Sequence, residues 1–206
     1  MPSNPNRRIA IVDDDDALRD ALAWLFSTRN HDVQPFPNAE SLLADYTPDR
    51  FSCLLLDVRM PGMSGLELFQ KLKDFPYLPP VVFLTGHGDV PMAVGALKDG
   101  ATDFIEKPFN DNDIVDLVER LIAADALSRT QWQAKNAVEA RLESLTPRER
   151  EVMKLILTGR LNKQIADDLS ISMKTVEVHR ARILEKMRVK TAMELAALLR
   201  DAKIGS

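Results

Sequence analysis

Short apolar runs alternate with amphipathic segments over the first 120 residues of the chain. The apolar runs are bounded by turn residues and cover residues 9–12, 33–36, 53–56, 81–84 and 103–105. Between and after them, apolar residues recur at helical spacing over residues 17–28, 39–46, 66–73, 91–98 and 114–123. Strands that alternate with helices predict an α/β domain with a doubly wound, five-stranded parallel sheet.

The pattern changes after residue 123. Residues 124–143 are rich in Ala and Gln and poor in strongly apolar side chains, which indicates a helical connector that continues the fifth helix. From residue 145 onward every segment has helical spacing, so an all-α domain is expected there. We therefore predict an α/β domain over residues 1–123, a helical linker over 124–143 and a helical domain over 144–206.

Charge separates the two halves of the chain. Residues 1–120 carry 11 Lys and Arg against 20 Asp and Glu, a net charge of −9, whereas residues 121–206 carry 16 against 11, a net charge of +5. A basic second half predicts a polyanionic partner.

Neither a membrane nor an oxidising compartment is expected. No run approaches the roughly 18 apolar residues that cross a bilayer, and the first residues lack the apolar core of a signal peptide. The single cysteine, Cys53, excludes an internal disulfide and falls in a predicted buried strand. These features predict a cytoplasmic protein.

Carboxylates follow two of the predicted strands. The first strand runs into Asp13, Asp14, Asp15 and Asp16, and the third ends at Asp57. Taken alone, Asp57 could simply open the turn that follows, and Asp15 or Asp16 could cap the next helix. In a sheet of order 2-1-3-4-5, however, the first and third strands are neighbours, so Asp13, Asp14 and Asp57 would meet at the carboxyl edge. Three carboxylates there predict a Mg²⁺ site.

Two other strand ends complete this edge. The fourth strand ends at Thr85, and Lys107 follows the fifth. Each has an ordinary alternative, since Thr85 could form a turn and Lys107 could be a solvated charge. Together with the carboxylates, the hydroxyl and the ammonium predict a site for a phosphoryl group on Asp57.

These residues resemble the full motif set of the receiver domain of two-component response regulators, over residues 7–123. The motifs are Asp13-Asp14, Asp57 with Met60-Pro61-Gly62, Thr85, and Lys107-Pro108. The resemblance implies a flavodoxin/CheY-like fold, with Asp57 as the acceptor of a phosphoryl group from a sensor histidine kinase. It also implies that the Lys107–Pro108 peptide is cis.

The resemblance further implies a metal and a limited catalytic role. Mg²⁺, for which Mn²⁺ could substitute, would be held by Asp14, Asp57 and the backbone carbonyl of Arg59, with Asp13 acting through water. The receiver would not be an enzyme with a separate substrate, because it would catalyse only its own phosphorylation and slow dephosphorylation. The residues implied in that chemistry are Asp13, Asp14, Asp57, Thr85 and Lys107.

Phosphorylation would be transmitted by Thr85 moving toward the phosphoryl group and Phe104 moving inward. Phe104 is equally well explained as an ordinary core residue. Residues 86–94 resemble receivers of the nitrogen-fixation regulators, which suggests dimerisation through the fourth helix and fifth strand. The candidate contacts are Val90, Val94 and Leu97.

The helical domain begins with a clear start signal. Thr146 is placed to cap a helix, Pro147 occupies its first position and Glu149 completes a capping box. Helices are expected over residues 147–158, 162–169, 173–187 and 192–200. In the third of these, helical spacing places four apolar residues toward the core: Val176, Ile183, Leu184 and Met187.

The helices over residues 162–169 and 173–187, joined by a tight turn, fit helix-turn-helix geometry. Periodicity alone would also fit an ordinary basic helical bundle. The sequences LTPRE from residue 145, NKQIA from residue 162 and TVEVH from residue 175 resemble the DNA-binding domain of the LuxR/NarL class, across residues 142–203.

This second resemblance implies binding to double-stranded DNA and dimer contact through the last helix. The implied phosphate contacts are Lys163, Thr175, His179, Arg182 and Lys186. The implied base-edge contacts are Glu177, Val178 and Arg180, and Lys174 is a further DNA-binding candidate.

We interpret the chain as a two-component response regulator of the FixJ/NarL class, in which phosphorylation promotes a homodimer on DNA and activates transcription. One alternative is a Mg²⁺-dependent phosphatase of the haloacid dehalogenase type, but that family needs a second Asp where this chain has Arg59. The other is a phosphorylation-independent DNA binder with a degenerate receiver, which the complete motif set disfavours.

Overall fold

The computed structural model of the chain describes residues 8–86, 90–202 and 204, without the side chains of residues 90, 91 and 93. Contacts between Cα atoms divide the chain into two compact units, residues 1–129 and 130–206. None of the helices described has the length and apolar character that crossing a bilayer requires.

The first unit is built on a five-stranded sheet of order β2-β1-β3-β4-β5, as the sequence predicts. All pairs are parallel, and β1 lies between β2 and β3. The strands are β1 (Arg8–Val12), β2 (Asp32–Phe36), β3 (Cys53–Asp57), β4 (Val81–Thr85) and β5 (Asp103–Glu106). Because the chain order reverses beside β1, the carboxyl ends of β1 and β3 flank the crevice in which such sheets bind their ligands.

Helices cover both faces of this sheet. They are α1 (Asp16–Thr28), α2 (Ala39–Asp45), α3 (Gly65–Leu72), α4 (Val90–Lys98) and α5 (Asp111–Glu143). Helix α4 ends at Lys98, where the predicted segment 91–98 also ends, and Gly100, at a φ of +104°, closes the turn that follows.

Successive side chains along each strand point to opposite faces of the sheet, so the sheet separates two apolar cores. Ala10 and Leu54 point to one face and join the core under α2, α3 and α4, whereas Ile11 and Leu55 point to the other, under α1 and α5. The central strands β3 and β4 are buried at every residue, which explains why they appear in the sequence as continuous apolar runs.

Helix α5 is continuous over 33 residues, so the predicted connector is helical and continues the fifth helix. Its middle part is held to the first unit by polar contacts. Arg129 donates to the backbone oxygen of Phe51 at 2.6 Å and pairs with the carboxylate of Asp49 at 2.8 Å, and Tyr77 donates to Asp125. Polar anchoring explains why this stretch has few strongly apolar residues.

The second unit packs four helices and the end of α5 around one apolar core. These helices are α6 (Pro147–Leu157), α7 (Asn162–Leu169), α8 (Met173–Met187) and α9 (Ala192–Asp201). The predicted capping box of Thr146 and Glu149 is present at α6, and Ser172 and Thr191 cap α8 and α9. Val176, Ile183 and Met187 are fully buried as predicted, whereas Leu184 is only partly buried.

Candidate functional site

The four aspartates after β1 have different structural roles. Asp15 is the N-cap of α1 and accepts from the amides of Ala17 and Leu18, and Asp16 pairs with Arg19. Helix capping therefore accounts for Asp15, and an ion pair on the same helix accounts for Asp16. Asp13 is buried and Asp14 is exposed, and neither is needed as the cap.

Three carboxylates meet at the carboxyl edge of the sheet. Asp13, Asp14 and Asp57 each offer an oxygen within 4.8 Å of the others. The Lys107 ammonium donates to Asp13 at 2.7 Å and to Asp57 at 2.8 Å. The structure therefore brings together the acids and the ammonium that the sequence places at separate strand ends.

Asp57 and Lys107 perturb each other. Burial raises the pKa of Asp57, and the charges of Asp13 and Asp14 raise it further, while Lys107 opposes them. For Lys107, burial lowers the pKa, but its hydrogen bonds and charge attraction to Asp13 and Asp57 outweigh burial and raise it. The ammonium is thus held in its charged form beside the carboxylates.

Thr85 lies at the end of β4, fully buried rather than on an open rim. Its hydroxyl donates to the backbone oxygen of Gly86 at 3.2 Å. Its own carbonyl accepts from the amide of Lys107 at 2.7 Å, which links the ends of β4 and β5. The Lys107–Pro108 peptide that follows is cis, as expected.

The loop after β3 approaches Asp57 more closely than the sequence suggests. A Cβ added to Gly65 would lie 2.0 Å from the backbone oxygen of Asp57. The amide of Gly65 donates to the carbonyl of Val58 at 3.2 Å, so the first turn of α3 closes over Asp57. Sequence reasoning missed Gly65, although its place directly after the helix cap Ser64 was a usable signal.

Arg19 was also missed. Its guanidinium is buried and donates to the backbone oxygen of Asp13 as well as to Asp16. It thereby fixes the loop that carries the acidic pair. An Arg three residues before the buried Leu22 on an amphipathic helix was the available signal.

The donor set at this edge fits a hard divalent cation. Three carboxylates within one crevice, one of them exposed, offer the oxygen ligands that Mg²⁺ takes while keeping several waters. Arg59, whose carbonyl was expected to contribute, is an exposed residue two positions after Asp57.

The expected switch and dimer residues have different surroundings. Phe104 is partly buried and packs against the core under α2, α3 and α4. Val94 is exposed, whereas Leu97 is partly buried against the same core. The side chain of Val90 lies outside the described residues.

Most of the expected DNA contacts are accessible on the second unit. Lys163 lies on α7, and the other eight candidates lie on α8. The exposed ones are Lys163, Lys174, Glu177, Val178 and Arg182, and the partly buried ones are Thr175, His179, Arg180 and Lys186.

Two of the partly buried candidates are constrained. The Lys186 ammonium donates to Glu149 at 2.7 Å and to the backbone oxygen of Ser144 at 3.0 Å, so in this structure it ties α8 to α6. The Nδ1 atom of His179 is buried with no hydrogen-bond partner in the described part of the chain, which leaves Nε2 as the atom that could reach outward.

Both parts of the chain match known families. Residues 9–119 match the response regulator receiver domain, and residues 143–199 match the bacterial regulatory proteins of the luxR family.

Similar proteins cover nearly the whole chain. The C4-dicarboxylate transport transcriptional regulatory protein DctR of Rhodobacter capsulatus is 50% identical over 192 residues, which are 92% of this chain and 98% of DctR. The transcriptional regulatory protein FixJ of Rhizobium meliloti (strain 1021) is 44% identical over 195 residues, 92% of this chain and 93% of FixJ.

Solved structures show the same combination of domains. The response regulator StyR matches with a TM-score of 0.73 and 38% identity, covering 94% of this chain and 98% of StyR. Full-length FixJ from B. japonicum matches with a TM-score of 0.55 and 37% identity, and the match covers 97% of this chain and 98% of FixJ. The chain therefore belongs to the two-component response regulators that join a receiver domain to a LuxR-type DNA-binding domain and regulate transcription.

Proposed function

We propose that a sensor histidine kinase phosphorylates Asp57 in a Mg²⁺-dependent reaction, and that phosphorylation promotes a homodimer that binds specific DNA and activates transcription in the cytoplasm. The contact of Lys107 with both Asp13 and Asp57, at the edge where three carboxylates converge, carries this proposal. An ammonium and a carboxylate-bound cation are the groups that stabilise a transferred phosphoryl group.

The chemistry at Asp57 is an in-line transfer. A carboxylate oxygen of Asp57 attacks the phosphorus atom of a phosphohistidine, and the P–N bond breaks as the P–O bond forms, so the imidazole nitrogen leaves. Lys107 holds Oδ1 of Asp57 at 2.8 Å, which leaves Oδ2 for the attack. Asp13 accepts from the same ammonium and so positions it.

The metal has a defined place in this proposal. Asp14, Asp57 and the carbonyl of Arg59 would hold Mg²⁺ or Mn²⁺, with Asp13 acting through water. When bound, the ion supplies charge neutralisation for the phosphoryl oxygens.

Thr85 and Phe104 would carry the signal away from Asp57. The Thr85 hydroxyl, now donating to Gly86, would turn to a phosphoryl oxygen. Phe104, which is partly buried, would move into the space that this change opens. A dimer through α4 and β5 would use Val90, Val94 and Leu97.

In the second unit, α8 would enter the major groove of DNA. Lys163, Thr175, His179, Arg182 and Lys186 would contact phosphates, with His179 using Nε2. Glu177, Val178 and Arg180 would reach base edges, since Glu accepts from cytosine and Val contacts the thymine methyl. Lys174, exposed at the start of α8, would add a further contact.

We also propose functional limits of residues 1–123 for the receiver, 124–143 for the linker and 144–206 for the DNA-binding domain. The compact units divide instead after residue 129, because Asp125 and Arg129 bond within the first unit.

Labelling with acetyl phosphate tests the acceptor. The full chain should become phosphorylated with Mg²⁺ and not with EDTA, and Asp57→Asn should abolish the label because it keeps the shape of the side chain and removes the nucleophile. Asp20→Asn, which changes an exposed acid on α1, is the matched control and should label normally. Full labelling of Asp57→Asn would refute the assignment.

DNA selection with and without the phosphodonor tests the output. We expect a defined operator sequence whose enrichment increases on phosphorylation of the wild-type chain and not of Asp57→Asn. Equal enrichment in both states would contradict control by the receiver.

A further inference from the structure

The loop between β3 and α3 carries the proposed Arg59 ligand and continues from the acceptor Asp57. Its two ends are fixed by the fold. The amide of Val58 donates to Leu84 at 3.0 Å, and the capping box of Ser64 and Glu67 fixes the start of α3. The middle of the loop lies between these two anchors.

Glu40 reaches the middle of this loop from α2. Its Oε1 atom accepts from the amide of Met63 at 3.0 Å. The start of α2 is itself well fixed, because Asn38 caps it by accepting from the amide of Ser41 at 2.9 Å and Ala39 is fully buried. A rigid element thus presents the Glu40 carboxylate to a polar loop.

The loop is shaped around this carboxylate. Gly62 has a φ of +80°, which side-chain-bearing residues rarely adopt. A Cβ added there would also lie 3.0 Å from Oε1 of Glu40. Gly62 therefore provides both the turn and the space that allow Glu40 to reach the next residue.

We infer that Glu40 is a positioning residue of the phosphorylation site, holding the loop after β3 so that the Arg59 carbonyl is presented for metal binding. This inference rests on the proposed function of Asp57. A ligand that is already in place when the ion arrives loses less conformational freedom on binding, so outer-shell contacts raise metal affinity.

The exposure of the contact separates positioning from simple stabilisation. Glu40 and Gly62 are exposed and Met63 is only partly buried. Removing a solvent-exposed hydrogen bond changes the stability of the whole fold little. It should nevertheless loosen a loop that must be ordered when the ion binds.

Metal affinity tests this role directly. Binding of Mn²⁺ to the full chain is followed by the electron paramagnetic resonance signal of the free ion, for wild type, Glu40→Ala and Glu40→Gln. We expect Glu40→Ala to weaken Mn²⁺ binding about fivefold, somewhat less than for an outer-shell partner bonded directly to a ligand, because the loop must then be ordered when the ion binds. Glu40→Gln keeps an acceptor oxygen and should stay within about twofold of wild type.

Two controls test whether a loss of charge or a loss of fold stability could explain weaker Mn²⁺ binding. Asp20→Ala also removes one negative charge, from the exposed surface of α1, and should leave Mn²⁺ affinity unchanged. Thermal melting without metal should give the same Tm for Glu40→Ala as for wild type. At saturating Mg²⁺, acetyl phosphate should label Glu40→Ala at nearly the wild-type rate.

The outcomes distinguish this inference from the proposed function. If wild type binds no Mn²⁺ and takes no label, the proposed function fails. If wild type behaves as proposed and Glu40→Ala binds Mn²⁺ equally well, only the role of Glu40 fails. If Glu40→Gln is as weak as Glu40→Ala, charge rather than the hydrogen bond is responsible, and positioning is overturned.

Discussion

Gly65 matters because it has no side chain. Its backbone passes so close to Asp57 that a Cβ would lie 2.0 Å from the Asp57 carbonyl oxygen. Backbone atoms cannot move aside as a flexible side chain can, so any larger residue must displace the end of β3 or the start of α3. The position of Asp57 thus depends on a neighbour that contributes no functional group.

Gly65→Ala should therefore impair both folding and phosphorylation. We expect a loss of roughly 1–3 kcal/mol in the free energy of unfolding, typical of overpacking, measured by urea denaturation, together with slower labelling by acetyl phosphate. Gly95→Ala is the matched control, because Gly95 lies within α4 and its added Cβ would meet nothing within 4 Å. It should stabilise the chain by roughly 0.5–1 kcal/mol through helix propensity. Equal effects of the two substitutions would contradict the steric explanation.

The difference between predicted and missed residues at the site has a physical cause. Asp13, Asp57 and Lys107 could be predicted because parallel strands bring their carboxyl ends to one edge whatever the detailed geometry. Arg19 and Gly65 act through close approach to backbone oxygens, which residue spacing does not encode. Burial of Thr85 was missed for the same reason, since a strand end can be covered or open.

Among the elements, α5 has a feature that the sequence pattern could not predict, the attachment of its middle part to the first unit. The strands and short helices could be predicted to within a few residues, because their apolar residues repeat at the spacing of the element. The stretch around residues 124–129 gave only a polar helical pattern. Its attachment to the first unit through Arg129 and Asp125 depends on partners at Phe51 and Tyr77, far away in sequence.

Helices α6 and α8 are joined by an ion pair between the buried Glu149 and the partly exposed Lys186. Glu149 is 2% exposed and accepts from Lys186 at 2.7 Å and from the amide of Thr146 at 2.9 Å. Burial raises the pKa of Glu149, but the hydrogen bonds from Lys186 and Thr146 outweigh burial and lower it below its ordinary 4.5. Folding therefore favours the ionised carboxylate.

This pair predicts a pH dependence of the second unit. Since the folded-state pKa of Glu149 is the lower one, its stabilising contribution is complete above the unfolded pKa and is lost as the pH falls through the folded pKa. Hydrogen-exchange protection of α6 and α8, corrected for intrinsic rates, should stay level from pH 7 down to the ordinary glutamate pKa of 4.5 and fall as the pH is lowered below it in wild type. Glu149→Gln should show a smaller fall.

Glu151→Gln is the control for this measurement. Glu151 lies on the same helix and pairs with Arg148 at 2.6 Å, but its side chain is 53% exposed, and exposed pairs contribute little. Glu151→Gln should keep the wild-type pH dependence. A wild-type dependence in Glu149→Gln would show that other groups cause the effect.

At the scale of the whole molecule, negative and positive charge are concentrated in different halves of the chain. The acidic first half contains the cluster of Asp13, Asp14 and Asp57, and the basic second half contains the helix-turn-helix. Sequence alone could predict this division because net charge and family motifs need no tertiary information. It could not predict that Lys186, one of the proposed phosphate contacts, also bonds Glu149 and Ser144 within the second unit.

Substitutions at Arg182 and Glu177 should have different effects on DNA binding, one on overall affinity and the other on sequence preference. Both are exposed on α8. If Arg182 contacts a phosphate, Arg182→Ala should weaken binding to all sequences alike and reduce the slope of log affinity against log salt by about 1 per bound protomer. If Glu177 reads a base, Glu177→Ala should relax the preference at one operator position by roughly 1–3 kcal/mol. Fluorescence anisotropy over a salt series, on the selected operator and its single-base variants, measures both quantities.

The same titrations, repeated with acetyl phosphate, show whether the response to phosphorylation and the contacts of α8 with DNA depend on separate residues. Arg182→Ala should keep the wild-type gain in affinity on phosphorylation, because the acceptor site is intact. Asp57→Asn should bind like the unphosphorylated wild type under both conditions, with an unchanged salt slope. Loss of the phosphorylation response in Arg182→Ala would mean that this arginine takes part in transmitting the signal, and its assignment as a simple phosphate contact would be wrong. A uniform loss of affinity in Glu177→Ala would likewise remove Glu177 from the base-reading set.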